Sequence, residues 1–185
     1  WRGGRLQPVT GWGQGGCFEF AAPVGRRAVA DCDVPDTVVL PSRYPQLHTV
    51  QARAGPELPL LQGGMRVLAW LRRWRLAPNW ARWARLLKWL SERLMGFGSD
   101  RGAMAVVVRG RDAQGTAQTL SWQLLALQGD GQYVPALCSV ALVRRLRHTG
   151  HLPAGAMPAP AGLTLDEIEQ AALGLAIQTG WGPKT

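Results

Sequence analysis

The order of the hydrophobic patterns along the chain constrains the fold most. Short segments with the apolar spacing of β-strands lie on both sides of a long stretch, 58–94, with the apolar spacing of α-helices. Strands and helices each need a partner to cover their apolar side. The sequence therefore predicts an α+β fold, with one mixed, largely antiparallel sheet of about five to seven strands covered by helices.

Strand-like segments near the start predict a β-hairpin. The segments 17–20 and 27–30 are short and apolar, and a proline and a glycine lie between them, as in a turn. The segment 38–40 is rich in β-branched residues and 48–53 alternates with period two, so both are expected to be strands.

The second half of the chain carries the clearest local signals. The segments 103–110 and 119–127 flank a turn-forming stretch and predict an antiparallel hairpin. A helix is expected over 135–147, and another that begins at Thr164, where Glu167 completes a capping box. The residues from 181 to the end are expected to be a tail.

The long helical stretch is an insert at about 58–95 that is basic and rich in tryptophan. Pro78 interrupts it and Asn79 suits the N-cap of a second helix, so a protruding helical hairpin is expected. Apolar residues recur on one face of each helix. They are Leu60, Val67, Leu71 and Trp74 in the first, and Trp83, Leu87, Leu90 and Leu94 in the second. The insert has five tryptophans, more than one buried face can hold, so some of them should be exposed or at a contact.

Net charge leaves three classes of partner open. Lys and Arg number 21 against 12 Asp and Glu, a balance of +9 that suits nucleic acid, an anionic membrane surface or anionic small molecules. For the insert, packing or a protein contact such as a homodimer ranks first, and peripheral membrane contact second. Nucleic acid ranks third, because no reading motif accompanies the charge.

The sequence shows no targeting signal and no paired cysteines, and both observations favour a location in the cytoplasm. The chain begins Trp1-Arg2 with no signal peptide and no initiator methionine, as if it started inside a longer protein. No uncharged apolar run approaches the roughly 20 residues that span a bilayer. Cys17, Cys32 and Cys138 lack paired spacing, so buried free thiols are expected rather than disulfides or a zinc site.

Two motifs that could hold a cofactor or a metal are discounted. The glycines of 11–16 match G-x-G-x-x-G, but a strand-like segment follows where a dinucleotide site needs a helix. His148 and His151 have no accompanying carboxylates or cysteines, and His48 lies far away in the sequence, so no metal is expected.

Several segments in order resemble the C-terminal region of saccharopine dehydrogenase-like proteins. The resemblance covers nearly the whole chain, with Trp122-Gln123-Leu124 in the expected strand. The segments are 33–36, 40–45, 54–57, 98–104, 129–135 and 155–158.

This resemblance implies one domain over 1–185 that binds substrate and forms a homodimer. Its partner is an N-terminal Rossmann domain, absent from this chain, that holds NAD or NADP. In the intact oxidoreductase, hydride would move between the nicotinamide and a substrate held against this domain. No cofactor is expected in this chain, which is not expected to be catalytic alone.

The resemblance also suggests substrate-binding residues, namely Asp100, Arg101, Gln132 and Tyr133. Arg101 could pair with a substrate carboxylate, and Tyr133 could orient the substrate or relay a proton. Family members tend to carry Pro where this chain has Gln132 and Cys where it has Ala159, so the substrate stays open. The long apolar insert places the chain nearer to relatives without a settled substrate. A membrane- or lipid-associated interaction module that uses the helical hairpin is the alternative function.

Overall fold

Six β-strands and five α-helices make up the part of the chain that the computed structural model describes, which confirms the α+β class. The described residues are 1–76, 79–149, 154–155 and 162–182. Two compact units divide the chain: Trp1–Glu19 with Arg26–Ser99, and Phe20–Gly25 with Asp100–Thr185. The prediction of one domain over 1–185 stays a prediction.

The first unit is built on a small antiparallel sheet. Strand β1 (Gly15–Glu19) pairs with β2 (Arg26–Asp31), and β2 pairs with β3 (Arg53–Ala54). The predicted hairpin is therefore confirmed. The strand expected over 48–53 shrinks to β3, because Thr49 instead forms an isolated bridge with Arg2.

Helix α1 (Asp36–Arg43) replaces the strand expected at 38–40, so that prediction is wrong. Pro35 occupies the N-cap and Asp36 lies in the first turn, where an acidic side chain favours the helix dipole. Thr37 Oγ1 also donates a hydrogen bond of 2.8 Å to the Val34 carbonyl. These start signals outweigh the strand preference of two consecutive valines.

The insert is helical, as predicted. It contains α2 (Pro59–Arg73), a 3₁₀ turn (Trp80–Trp83), α3 (Ala84–Leu94) and a second 3₁₀ turn (Met95–Phe97). The Asn79 side chain accepts a 3.0 Å hydrogen bond from the Ala81 amide, which confirms it as an N-cap. The break predicted at Pro78 lies outside the described residues.

The second unit also contains a three-stranded antiparallel sheet. Strand β4 (Gly102–Arg111) pairs along its length with β5 (Ala117–Ala126), and the predicted hairpin is confirmed. The Asp112 carboxylate accepts hydrogen bonds from two backbone amides of the turn. Strand β6 (Ile177–Trp181) pairs with the other side of β5, so the tail predicted from 181 begins inside a strand.

The strands of the two units form separate sheets of three, which differs from the single larger sheet predicted. Each hairpin gains its third strand from a segment distant in the sequence: β3 beside β2, and β6 beside β5. Local turn signals are enough to predict a hairpin. Which sheet a further strand joins depends on such long-range pairing.

Helices α4 (Leu137–Thr149) and α5 (Leu165–Ala171) cover apolar residues of the second unit. One buried cluster contains Leu137, Ala141, Ala171 and Ala172, and another contains Trp122, Leu124 and Ala126. Ile177 packs against both clusters, so β6 links the helices to the sheet. The predicted helix at 135–147 is confirmed, with a 3₁₀ helix (Asp130–Ala136) before it.

The capping box predicted at the start of α5 is confirmed, and it also holds α4. Thr164 Oγ1 accepts from the Glu167 amide, and the Glu167 carboxylate accepts from the Thr164 amide. The Arg145 guanidinium donates two hydrogen bonds to the same carboxylate. The bonds from Arg145 first, and then that from the Thr164 amide, lower the pKa of Glu167 from 4.5 to about 2.

The stability of the second unit should therefore depend on pH through Glu167. A lowered native pKa contributes stability that is complete above pH 4.5 and is lost as pH falls towards about 2. Replacing Glu167 with Gln should remove this part of the acid dependence, measured as the urea midpoint at each pH. Asp166→Asn, an exposed change in the same turn, is the control. Identical acid profiles for wild type and Glu167→Gln would contradict the assignment.

Candidate functional site

Asp100 and Arg101 lie in the loop that leads into β4, and backbone contacts fix this loop in the second unit. The Asp100 carbonyl accepts a 2.9 Å hydrogen bond from the Gly129 amide. Strand β4 then begins with Gly102 opposite Ala126, the last residue of β5. The loop therefore lies beside the turn that follows β5.

Gln132 and Tyr133 belong to the 3₁₀ helix that this turn begins. Gly129 has a φ of 79°, which other residues rarely adopt, and the glycine lets the chain turn there. The Asp130 carboxylate then accepts a 2.6 Å hydrogen bond from the Ala176 amide, just before β6. The start of the 3₁₀ helix is thereby anchored to the sheet.

The structure brings together the two segments that carry the four predicted site residues, although they are about thirty positions apart in the sequence. Their side chains are all exposed, and Tyr133 keeps 48% of its surface accessible. A guanidinium, a phenol and an amide are groups that can bind a polar, anionic ligand. In this chain they do not enclose it.

Glu57 is a residue of the first unit whose contacts the sequence patterns did not indicate. In the first unit its carboxylate accepts hydrogen bonds of 2.6 Å from both the amide and the hydroxyl of Ser99. Arg27 forms an ion pair with the same carboxylate at 3.2 Å. Glu57 thus connects β2 to the loop residue that precedes Asp100. Its place in the family-like segment 54–57 was the available signal.

The segment 54–57 needs a glycine at position 55, because the backbone there passes too close to β2 for a side chain. A Cβ atom at this position would lie 2.0 Å from the Ala28 carbonyl oxygen, well inside van der Waals contact. The backbone of 54–57 therefore approaches β2 closely, and this approach places Glu57 next to Arg27.

Asp31 is a buried charge in the first unit, and no sequence pattern indicated it. Only 7% of its side chain is exposed. Arg2 contacts one carboxylate oxygen at 3.1 Å and Arg53 the other at 3.2 Å. These ion pairs tie the start of the chain and β3 to the end of β2.

Cys32 borders an open groove of about 380 Å³ in the first unit. Burial first, and then the charges of Asp31 and Asp33, raise the pKa of its thiol. A raised pKa keeps the thiol protonated and a poor nucleophile. All three cysteines are free, as predicted, but none is fully buried: Cys17 is exposed, and Cys32 and Cys138 are half-buried.

The glycine-rich segment 11–16 forms a turn that enters β1, so a strand follows it, as predicted. Its Trp12 amide donates a 3.0 Å hydrogen bond to the Asp31 carbonyl. Within the described ranges, no group of three or more His, Cys, Asp and Glu side chains could hold a metal ion. His151 and Ala159 lie outside those ranges.

The helical insert presents most of its tryptophans to solvent. Trp70, Trp74, Trp83 and Trp89 each keep about half or more of their surface exposed, from 49% to 62%. The prediction that some tryptophans of the insert are exposed is therefore confirmed. No described helix is both long enough and apolar enough to cross a membrane.

Comparison with protein-family models, curated proteins and solved structures gave no match for this chain. The resemblance to saccharopine dehydrogenase-like proteins therefore depends on the segments named above and stays a prediction.

Replacing Glu57 with Gln should loosen the loop at Ser99. The amide cannot accept from both Ser99 groups and Arg27 as a carboxylate does, and bonds to a charged acceptor contribute about 1.5–3 kcal/mol. Amide hydrogen exchange at Ser99 should accelerate by roughly tenfold or more. Glu92→Gln, which removes only the exposed ion pair with Lys88, is the matched control. Unchanged exchange at Ser99 in Glu57→Gln would refute the anchoring role.

Proposed function

We propose that this chain is the substrate-binding and dimerisation part of an NAD(P)-dependent, saccharopine dehydrogenase-like oxidoreductase. It would act with an N-terminal Rossmann domain and would not be active alone. The observation that carries the proposal is the hydrogen bond between Asp100 and Gly129. It joins two of the segments on which the family resemblance depends, at the place where a substrate pocket is expected.

The chain's own residues would position the substrate. Arg101 would bind a substrate carboxylate through two parallel hydrogen bonds, and Tyr133 would orient the reacting group or relay a proton. Asp100 and Gln132 would complete the polar surface. All four side chains are exposed in this chain. The Rossmann domain would therefore have to supply the enclosure that excludes water from the reaction.

Nicotinamide cofactor binding is assigned to the Rossmann domain rather than to this chain. The G-x-G-x-x-G string at 11–16 leads into β1, so it lacks the helix N-terminus that holds a pyrophosphate. The cofactor would supply the hydride chemistry when bound. We further propose that the intact protein forms a homodimer, as the family resemblance implies, and that it is located in the cytoplasm.

In the intact protein, Arg101→Ala should raise KM for an anionic substrate by roughly 10- to 100-fold, the loss expected for a charged hydrogen bond. The measurement is nicotinamide absorbance with a panel of carboxylate-bearing substrates.

Arg109→Ala is the matched control for Arg101→Ala. Arg109 is also exposed, but it lies eight residues further along the chain, near the other end of β4. Its replacement should leave KM unchanged. Equal KM values for Arg101→Ala and wild type would remove Arg101 from the site.

A further inference from the structure

Helix α2 carries an exposed apolar stripe that the candidate substrate site does not use. Leu60, Val67, Trp70 and Trp74 keep 69%, 55%, 54% and 62% of their surface exposed. They recur at intervals of three, four and seven residues, so they share one side of the helix. The rings of Trp70 and Trp74 lie 6.3 Å apart. The partly buried Leu61, Met65 and Leu68 occupy another side.

Helix α3 and its neighbouring 3₁₀ turns repeat the arrangement. The exposed apolar side chains are Trp83, Leu86, Trp89 and Leu90, with 45% to 54% of their surface accessible. Met95 and Phe97 follow with 72% and 78%. Trp80, Leu87 and Leu94 are more covered, although none of them is fully buried. Both helices thus leave large apolar side chains uncovered in this chain, and neither contributes a fully buried residue.

Positive charge is concentrated in the same segment. The stretch 58–95 contains eight Lys and Arg and one acidic residue, Glu92, so it carries +7 of the chain's net +9. The Arg93 guanidinium lies 4.7 Å from the centre of the Trp89 ring. The basic side chains Arg66, Arg73, Arg82, Arg85 and Lys88 are exposed.

This combination of charge and apolar surface selects among partners. A second copy would bring another strongly positive surface, and like charges oppose such a contact. Nucleic acid would neutralise the charge and stack on tryptophan, but it offers nothing to cover leucine, valine, methionine and phenylalanine. An anionic lipid surface satisfies both groups: apolar side chains enter the boundary between headgroups and acyl chains, and arginines reach the phosphates.

We infer that α2 and α3 form a docking surface for an anionic lipid bilayer. The exposed tryptophans and aliphatic side chains enter the interface, and the basic side chains contact lipid phosphates. The contact is peripheral, in keeping with the finding that no described helix could span a membrane. It is independent of the proposed oxidoreductase function, because it uses none of Asp100, Arg101, Gln132 and Tyr133.

Sedimentation of the 185-residue chain with vesicles tests the inference. Vesicles of equal parts phosphatidylglycerol and phosphatidylcholine should bind the chain at low salt, and pure phosphatidylcholine should bind it at least tenfold more weakly. Added salt should weaken binding, because it screens the charges. Brominated acyl chains should quench the tryptophan fluorescence of the bound chain.

Two comparisons between variants distinguish specific binding through this surface from nonspecific binding through any basic or apolar surface of the chain. Arg82→Glu with Arg85→Glu should weaken binding at least tenfold, whereas Arg109→Glu with Arg111→Glu, exposed on β4, should have a much smaller effect. Trp74→Ala should weaken binding more than Trp181→Ala, which removes a similarly exposed tryptophan from β6. Circular dichroism checks that each variant is folded.

Three results would overturn the inference. One is the absence of binding to anionic vesicles at low salt. Another is equal weakening by the insert variants and their β4 and β6 controls. The last is preferential binding to duplex DNA or self-association at the insert, measured by anisotropy and sedimentation equilibrium, which would assign the surface to nucleic acid or to a second copy.

Discussion

Burial of strand β5 is the interaction on which the second unit depends. The strand lies between β4 and β6, and its residues Trp122, Leu124 and Ala126 are almost completely buried on one face. Its last residue, Ala126, pairs with the first residue of β4, and in the turn after it the Gly129 amide donates a hydrogen bond to the Asp100 carbonyl. The geometry of the candidate substrate site therefore follows from the packing of an apolar strand rather than from contacts among the site residues.

The first unit is held by charge to a greater extent. Asp31 is buried between two arginines, and Glu57 contacts both Arg27 and Ser99, so single carboxylates connect segments that are distant in the sequence. The insert of the same unit contributes no buried residue in α2, α3 or the adjoining 3₁₀ turns. Its apolar side chains consequently remain available for a partner, which is why the proposed lipid contact arises there.

Local sequence signals predicted most helices and hairpins of this fold, but they did not predict which distant strands pair. The turn at Asp112, the capping box at Thr164 and the N-cap at Asn79 each involve residues a few positions apart, so the sequence shows them directly. Helix α1 was missed because the prediction gave the two valines more weight than the helix start signals at Pro35 and Asp36. Strand β6 and the split into two sheets depend on partners far away in the sequence. The same limit applies to the charged contacts of the first unit: no local pattern marked Asp31, and only the family-like segment 54–57 pointed to Glu57.

We propose that this chain supplies the substrate side of a nicotinamide-dependent enzyme. The most direct measurement is calorimetric titration of NADH and NADPH into the intact protein encoded by the whole gene, beside the same titration into residues 1–185. We expect saturable binding of at least one nucleotide by the intact protein and none by 1–185. Failure of the intact protein to bind either nucleotide, or a reading frame that encodes this chain alone, would contradict the account.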